Sequence, residues 1–346
     1  MTVDSLKAPF PWFGGKSRAA GLIWPRFGDV ANYVEPFCGS GAVLLARPHA
    51  PRIETVNDLD CFVANFWRAI TADPEQVARF ADGPVNEADL HARHRWLVDR
   101  AEFRARMRTE PDYFDAKIAG WWAWGLSAWI GSGWCSFGAE WKQVPSLGNE
   151  GRGVHSKAMR GPAIQLPSLG GFTNSKGGNA NYGGGVHSKA TRSRILEVFA
   201  ALAERLRYTR VACGDFERVL SDSVTWRHGT TAILLDPEYP EGAEVYAETS
   251  AGKNEEHVFY RAARWAAEHG SDERLRICLC GYEGTWAPPD GWVTVEWKAK
   301  GGYGSQSKKE GGNVNAARER LWFSPGCLKS EARPPQASLF DFAEAT

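Results

Sequence analysis

The order of apolar and polar positions divides the chain into two α/β segments with a different middle. In the first segment, a short apolar strand at residues 32–36 leads into a glycine-rich turn at 37–41. A helix is predicted from 42 to about 46, and a second strand at 53–57. This order predicts a βαβ unit of a doubly wound sheet, in which ligands bind at the carboxyl ends of the strands.

The α/β pattern resumes after residue 194 and predicts the rest of a mixed sheet. The strand predicted at 231–235 is an apolar run that ends in Asp236-Pro237-Glu238-Tyr239. The tail after about residue 327 is polar, and we expect it to be disordered. The other predicted elements are strands at 209–213, 275–280, 292–297 and 320–323 and helices at 195–206, 216–220 and 255–268.

The middle of the chain predicts helices followed by a long irregular segment. Residues 72–142 are mainly helical in pattern, with many tryptophans between Trp121 and Trp134. Packing of these rings in a helical core is the favoured interpretation, and stacking of one or two on nucleic-acid bases is the alternative. Residues 145–190 are rich in glycine, serine and asparagine, and two short sequence motifs each occur twice in them. This composition predicts a functional loop.

Charge changes this picture only locally. The 346 residues carry a formal net charge of zero, so the whole chain gives no sign of a nucleic-acid partner. Residues 151–194, however, contain no aspartate or glutamate, which predicts a surface that faces phosphates. The alternative is a solvated loop whose charges have no partner. The basic residues concerned include Arg152, Lys157, Arg160, Lys189, Arg192 and Arg194.

Several classes of protein are excluded at this stage. The chain has no apolar run of about 18 residues and no charged-then-apolar leader, so we expect neither a membrane span nor secretion. Its seven cysteines are odd in number and lack paired CxxC spacing. Free thiols in a reducing cytoplasm, without a structural zinc site, fit this pattern best.

Five motifs in a fixed order resemble those of the Dam-like DNA adenine methyltransferases. The resemblance covers residues 9–70 and 211–325 and leaves the middle as a target-recognition region. The motifs are Pro11-Trp12-Phe13-Gly14-Gly15-Lys16, Tyr33-Val34-Glu35-Pro36-Phe37-Cys38-Gly39-Ser40-Gly41, Asn57-Asp58-Leu59-Asp60, Gly214-Asp215-Phe216 and Asp236-Pro237-Glu238-Tyr239.

The resemblance implies an α/β fold, with a Rossmann-like class I methyltransferase sheet and an inserted target-recognition domain of helices and loop. The catalytic domain would comprise residues 1–71 and 193–326, the inserted domain 72–192, and the flexible tail 327–346. The implied partner is double-stranded DNA. We expect a monomer or weak dimer of bacterial or phage type, in the cytoplasm of a bacterial or phage-infected cell.

The implied cofactor is S-adenosylmethionine. Gly39 and Gly41 lack a Cβ, so the backbone of their turn can approach the cofactor closely. By resemblance, Asp58 would accept the ribose hydroxyls and Asp215 would lie near the adenine amino group. The remaining implied cofactor residues are Trp12 and Lys16, which would close over the cofactor, with Gly15, Glu35, Pro36, Phe37 and Asp236.

The resemblance places the chemistry at Asp236-Pro237-Glu238-Tyr239. The Asp236 carboxylate and the Pro237 carbonyl would accept the two N–H bonds of the target amino group. Tyr239 would stack on the base after it is flipped from the duplex. The family has a second proline where this chain has Glu238. Glu238 is either tolerated, or contacts a modified or non-adenine base, or marks a site that binds DNA without methylating it.

Three alternatives to adenine methylation of DNA stay open on the sequence, one of which is methylation of RNA or transfer onto a hypermodified base. Cytosine-N4 methyltransferases share the same motif logic, and a catalytically silent DNA-binding protein is consistent with Glu238. Separately, Gln336-Ala337-Ser338-Leu339-Phe340 resembles the peptide with which bacterial replication proteins bind the sliding clamp. Gln336, Leu339 and Phe340 would dock into an apolar pocket. The alternative is that this segment folds back on the core or matches by chance.

Overall fold

The computed structural model describes residues 6–10, 12, 15–129, 134–135, 189–240, 257–297 and 317–330, with side chains omitted at 189–193. The helices are α1 (Ala20–Phe27), α2 (Ala42–Leu45), α3 (Cys61–Ala72), α4 (Pro74–Ala81), α5 (Glu87–Val98), α6 (Ala101–Thr109), α7 (Ala116–Ala128), α8 (Lys189–Leu206) and α9 (Val258–His269). The strands are β1 (Asn32–Glu35), β2 (Ile53–Asp58), β3 (Thr209–Cys213), β4 (Thr231–Leu235), β5 (Leu275–Tyr282), β6 (Val293–Glu296) and β7 (Glu319–Phe323).

The chain forms two compact units. The helical unit consists of Met1–Trp12 and Asp58–Gly214, and the sheet unit consists of Phe13–Asn57 and Asp215–Thr346. The division into a catalytic domain and a target-recognition domain stays a prediction.

A seven-stranded mixed sheet confirms the predicted α/β fold class. Six of its strands lie in the sheet unit in the order β2–β1–β4–β5–β7–β6, and β3 belongs to the helical unit. Strands β2, β1, β4 and β5 are parallel, whereas β7 runs antiparallel to both β5 and β6. Strand β7 therefore lies between two strands that run opposite to it.

Strand β4 shows why the sequence folds in this way. All of its residues are buried, as expected for a parallel strand whose two faces are both covered. Its register with β1 aligns Asn32 with Thr231 and Val34 with Ile233. Because the two strands are parallel and adjacent, the turn after β1 and the segment after β4 emerge at the same edge of the sheet.

Most predicted elements match the structure, and the start of α8 differs most from its prediction. The helix after the glycine-rich turn is a single turn, because Pro48 disfavours a helical conformation at Arg47 and has no N–H to continue the hydrogen bonding. Helix α8 begins at Lys189 rather than at residue 195. No glycine or proline lies between these positions, so nothing in the sequence ends the helix there.

Packing in the helical unit confirms the core interpretation for three tryptophans. Trp122, Trp124 and Trp134 are buried, and the Trp134 indole N–H donates to the Trp122 carbonyl at 3.0 Å. Trp121 is only half-buried and has the Lys117 ammonium 4.4 Å from its ring centroid. The alternative of base stacking therefore stays open for Trp121 and not for the buried rings.

Three further observations concern the described part of the chain. No helix there is long and apolar enough to cross a membrane. No three described His, Cys, Asp or Glu side chains form a group that would hold a metal ion. All seven cysteines are free thiols, with the Sγ atoms of Cys61 and Cys213 3.6 Å apart within the helical unit.

A buried ion pair fixes the connection between α2 and β2. Arg47 Nη1 lies 3.1 Å from Glu54 Oε1, and the two side chains are 0% and 1% exposed. Arg47 Nη2 also donates to the Val30 carbonyl at 2.7 Å, so the guanidinium ties this connection to the residues before β1. Removing one partner would leave a buried charge without compensation.

We therefore expect Glu54→Leu to lower the free energy of unfolding by about 3–5 kcal/mol, measured by urea denaturation. The exposed pair Arg52–Asp29, at 2.8 Å, provides the control. Asp29→Asn should cost less than about 1 kcal/mol, because solvent screens that pair. Equal small losses in both variants would contradict the role assigned to the buried pair.

Candidate active site

The predicted catalytic motif and the glycine-rich turn both lie at the carboxyl edge of the parallel strands. The turn follows β1, and Asp236 follows β4 directly. Since β1 and β4 are neighbouring parallel strands, both segments belong to one edge of the sheet unit. This edge is where open α/β sheets bind ligands.

The turn after β1 requires glycine at two positions and is held by β2. Gly39 and Gly41 have φ values of 48° and 62°, a left-handed conformation that disfavours other residues. The Asn57 side-chain amide donates to the Pro36 carbonyl at 3.0 Å, and the Cys38 N–H donates to the Asn57 carbonyl at 3.0 Å. The turn therefore presents a backbone surface without Cβ atoms on a fixed support.

Glu35, the last residue of β1, is a buried carboxyl group. The Tyr33 hydroxyl donates to Glu35 Oε2 at 2.9 Å, and the Leu44 N–H also binds the carboxylate. Burial raises the pKa of Glu35 to about 8; these two donors oppose the shift, and the nearby charge of Asp236 adds to it. Glu35 is therefore mostly protonated at neutral pH.

Lys16 joins two carboxylates at this edge. Its Nζ lies 3.0 Å from Asp236 Oδ1 and 3.9 Å from Glu319 Oε2, and its side chain is only 3% exposed. Burial lowers the pKa of the Lys16 ammonium, but the two carboxylates outweigh burial, so the pKa lies above its ordinary value. Lys16 is thus a buried cation whose charge is balanced by the catalytic motif itself.

The Tyr239 hydroxyl binds the same two carboxylates. It lies 3.0 Å from Asp236 Oδ1 and 3.3 Å from Glu319 Oε2 and donates towards both. The Tyr239 ring packs edge to face against Tyr282, with centroids 4.8 Å apart, and has Lys16 Nζ 5.0 Å from its centroid. Burial and the Asp236 charge raise the pKa of Tyr239 well above its usual value, so the hydroxyl stays a donor.

The two central residues of the motif face different environments. Pro237 is buried, whereas Glu238 is exposed. Burial lowers the pKa of His257, the N-cap of α9, and the charge of Glu238 opposes that shift. Glu238 is therefore near the start of α9 and in contact with solvent.

Asp215 is held by an arginine that the sequence did not suggest. Arg261 Nη1 and Nη2 contact the two Asp215 carboxylate oxygens at 2.9 and 3.1 Å. The guanidinium covers the Phe216 ring at 4.9 Å, and Phe216 in turn stacks on Phe37 with centroids 5.1 Å apart. Burial raises the pKa of Asp215. The hydrogen bonds from Arg261 and from the Glu217 N–H outweigh this effect, so the pKa lies below its ordinary value.

Two predicted cofactor residues belong to the helical unit. Asp58 Oδ1 accepts the Asp60 N–H at 2.9 Å, and the Asp58 carbonyl accepts the Gly214 N–H at 3.1 Å. Trp12 packs on Trp122 with centroids 6.1 Å apart. In the sheet unit, the structure brings together Lys16, Glu35, the glycine turn, Asp236 and Tyr239. Gly15 belongs to the same unit, and its role stays a prediction.

Most predicted DNA and clamp residues lie outside the described residues. Arg194 is exposed on α8, and the backbones of Lys189 and Arg192 belong to the same helix. The roles of all of them stay predictions. The residues outside the description are Arg152, Lys157, Arg160, Gln336, Leu339 and Phe340.

Sequence reasoning missed Glu319 and Arg261. Glu319 begins β7, and Arg261 lies on the amphipathic helix α9. Each is separated from its hydrogen-bond partner by 46 residues or more in the sequence, so no local spacing indicates either one. The only available signal was that a glutamate precedes an apolar strand predicted to complete the sheet.

Comparison with known proteins supports the resemblance of the motifs. Residues 12–112 match the family model of the D12 class N6 adenine-specific DNA methyltransferases. The match includes the glycine-rich turn and Asp58 and ends before the Asp236 motif. No curated protein matches the chain.

The raised pKa of Glu35 predicts how stability depends on pH. Between its ordinary value of 4.5 and about 8, the folded protein keeps a proton that the unfolded chain releases. The contribution of Glu35 to the free energy of unfolding is fully present below pH 4.5. It is lost as the pH rises towards 8, by up to about 1.4 kcal/mol per pH unit. Urea denaturation of Glu35→Gln from pH 5 to 8 should lack this decline.

The control is Glu283→Gln, because Glu283 is a mostly exposed carboxylate at the end of β5. It should keep the pH dependence of the natural protein. An unchanged slope in Glu35→Gln would show that Glu35 is ionised in the folded state.

Proposed function

We propose that the chain, whose residues 12–112 match the family model of the D12 class N6 adenine-specific DNA methyltransferases, is a DNA adenine-N6 methyltransferase that methylates an adenine flipped from duplex DNA with S-adenosylmethionine as donor. The observation that carries this proposal is the buried Lys16–Asp236 ion pair at the carboxyl edge of the sheet. It holds a carboxylate acceptor in place beside the glycine turn.

The residues at this edge fit the proposed cofactor. S-adenosylmethionine supplies, when bound, a methyl group on a sulfonium whose C–S bond electrons leave with the sulfur. The left-handed turn at Gly39 and Gly41 has no Cβ to obstruct a close approach. The Asp236 carboxylate, whose side chain is 19% exposed, suits a cationic ligand, and the buried Glu35 carboxyl group offers a further oxygen acceptor.

Asp236 and Pro237 would make the target nitrogen reactive. The lone pair of an adenine amino group is delocalised into the ring, which makes it a poor nucleophile. If the Asp236 carboxylate and the Pro237 carbonyl accept its two N–H bonds, a tetrahedral nitrogen with an available electron pair is favoured. The nitrogen forms the new bond to the methyl carbon and then loses one proton to the Asp236 carboxylate, which already accepts one of its N–H bonds.

The ion pair defines the chemical state of Asp236 before substrate arrives. Paired with Lys16, Asp236 is a carboxylate and therefore an acceptor only, as the proposed contact with the amino group requires. The Tyr239 hydroxyl bond fixes the direction of the same carboxylate. The site is preorganised in the sense that these orientations are set by the protein and not by the substrate.

Tyr239 would provide the stacking surface for the flipped base. Its hydroxyl is held at one end by two carboxylates, and its ring is held by Tyr282. A ring fixed in this way loses little conformational entropy when a base stacks on it.

The environment of Glu238 favours the interpretation that it is tolerated. Glu238 is exposed and lies near His257 at the start of α9. The groups that would act on the target amine are the neighbouring residues of the motif. The Pro-to-Glu difference therefore changes one φ constraint and adds a solvated charge.

Duplex DNA is the proposed substrate, and the basic residues between 152 and 194 are the proposed contacts. Phosphate contacts of this kind would position the duplex without selecting a sequence. Clamp binding by Gln336, Leu339 and Phe340 stays a separate proposal that rests on the sequence alone.

The first test is transfer of labelled methyl groups from S-adenosylmethionine to unmodified duplex DNA. The natural chain should produce N6-methyladenine, and Asp236→Ala should lower the rate at least 100-fold, because an electrostatic contact at the reacting atom is lost. Nucleoside analysis of the product identifies the base. Label in N4-methylcytosine would replace adenine by cytosine as the target, and binding of DNA and cofactor without transfer would make the site silent.

Glu238→Pro tests the departure from the family motif. We expect its kcat to stay within about threefold of the natural chain, since substitutions at exposed positions rarely exceed about 0.5 kcal/mol. Glu238→Gln, which removes only the charge, is the matched control. A gain of 100-fold or more in Glu238→Pro, with Glu238→Gln unchanged, would show that the missing proline impairs the natural site.

A further inference from the structure

Glu319 is a buried carboxylate at the active-site edge to which the proposed chemistry gives no role. Its side chain is 9% exposed, and burial raises its pKa, although Lys16 opposes this shift. Burying a carboxylate is costly unless partners compensate for the lost water. The partners that Glu319 has are Lys16 and Tyr239, both of which also bind Asp236.

The backbone of Glu319 is fixed by the sheet on both sides. Glu319 pairs with Tyr282 of β5, and its carbonyl accepts the Trp297 N–H at 3.4 Å. The next residue, Arg320, directs its guanidinium to Glu283 at 2.7 Å and to Glu296 at 3.6 Å. The cation adjacent in sequence is therefore engaged elsewhere, and among the described residues Lys16 provides the counter-charge of Glu319.

Two groups connect Glu319 to Asp236. The Tyr239 hydroxyl lies 3.0 Å from Asp236 Oδ1 and 3.3 Å from Glu319 Oε2. The Lys16 ammonium lies 3.0 Å from the same Asp236 oxygen and 3.9 Å from the same Glu319 oxygen. A single Glu319 oxygen thus acts on both groups that orient the Asp236 carboxylate.

We propose that Glu319 is a positioning residue of the methyl transfer, which holds Asp236 and the Tyr239 ring in their working geometry through the Tyr239 hydroxyl and the Lys16 ammonium. The proposal rests on the proposed function of this site. Glu319 does not contact the substrate in this scheme. Its carboxylate also attracts the Lys16 ammonium, which weakens the contact between Lys16 and Asp236. The Asp236 carboxylate is then available to accept an N–H bond of the target amino group.

Loss of the carboxylate should affect the chemical step more than binding. In Glu319→Gln, Lys16 keeps its contact with the Asp236 carboxylate but loses the Glu319 carboxylate. The ammonium then binds Asp236 more strongly and competes with the target N–H for the Asp236 oxygens. The Tyr239 ring also loses one of two hydroxyl acceptors. Displacements of about 1 Å at a reacting group can cost roughly 100-fold in rate. We expect kcat to fall about 10- to 100-fold, with KM for S-adenosylmethionine within about threefold.

Five variants of the full chain test the proposal by steady-state methyl transfer: Glu319→Gln, Glu319→Asp, Tyr239→Phe, the double variant of Tyr239→Phe with Glu319→Gln, and Glu283→Gln. Glu319→Asp keeps the charge and should recover part of the kcat lost in Glu319→Gln. Tyr239→Phe with Glu319→Gln should lose less than the product of the two single losses, because both variants remove the Tyr239–Glu319 contact. Glu283→Gln is the matched control, a carboxylate of the neighbouring strand that pairs with Arg320, and should keep kcat within about twofold.

The outcomes separate the failure of this proposal from the failure of the proposed function. If the natural chain methylates DNA but Glu319→Gln keeps its kcat, or loses kcat and stability only as much as Glu283→Gln does, the positioning role is overturned. If the natural chain transfers no methyl group, the proposed function fails by itself. Urea midpoints of Lys16→Met, Glu319→Gln and the double variant then test the contact independently, and additive shifts would overturn it.

Discussion

The ion pair between Lys16 and Asp236 is the constraint on which the rest of the site depends. A lysine that is 3% exposed needs a nearby anion, since a buried charge without a partner costs several kcal/mol. Asp236 provides that anion because β4 ends immediately before it at the edge where the turn after β1 emerges. Tyr239 and Glu319 then complete the hydrogen bonding of the pair. The sheet register therefore determines the electrostatics of the site.

The fold was largely predictable because the central strands carry strong local signals. Strands β3 and β4 match their predicted bounds, as expected where β-branched and apolar residues are bounded by turns. The helix after the glycine turn ends within one residue of its prediction, and Pro48 explains its short length. The start of α8 at Lys189 was missed because serine, threonine and arginine are consistent with either helix or loop.

The site was predictable only where a motif keeps its residues close in sequence. Asp236, Pro237 and Tyr239 lie within four positions, and the glycine turn within five, so their types and spacing indicate their chemistry. Glu319 and Arg261 reach Tyr239 and Asp215 through the tertiary fold. Which carboxylate of a distant strand shares a lysine depends on the antiparallel pairing of β7 with β5, and no local pattern encodes that pairing.

The carboxyl groups at this edge are held in different chemical states by their neighbours. Glu35 is buried with a hydroxyl and an N–H donor and without a cation among the groups that shift its pKa, so the neutral form is favoured. Asp236 lies 3.0 Å from an ammonium and forms an ion pair. A neutral Glu35 adds no further negative charge to an edge where Asp236 and Glu319 already share one lysine. The arrangement limits the charge of the edge to what Lys16 and a cationic cofactor would balance.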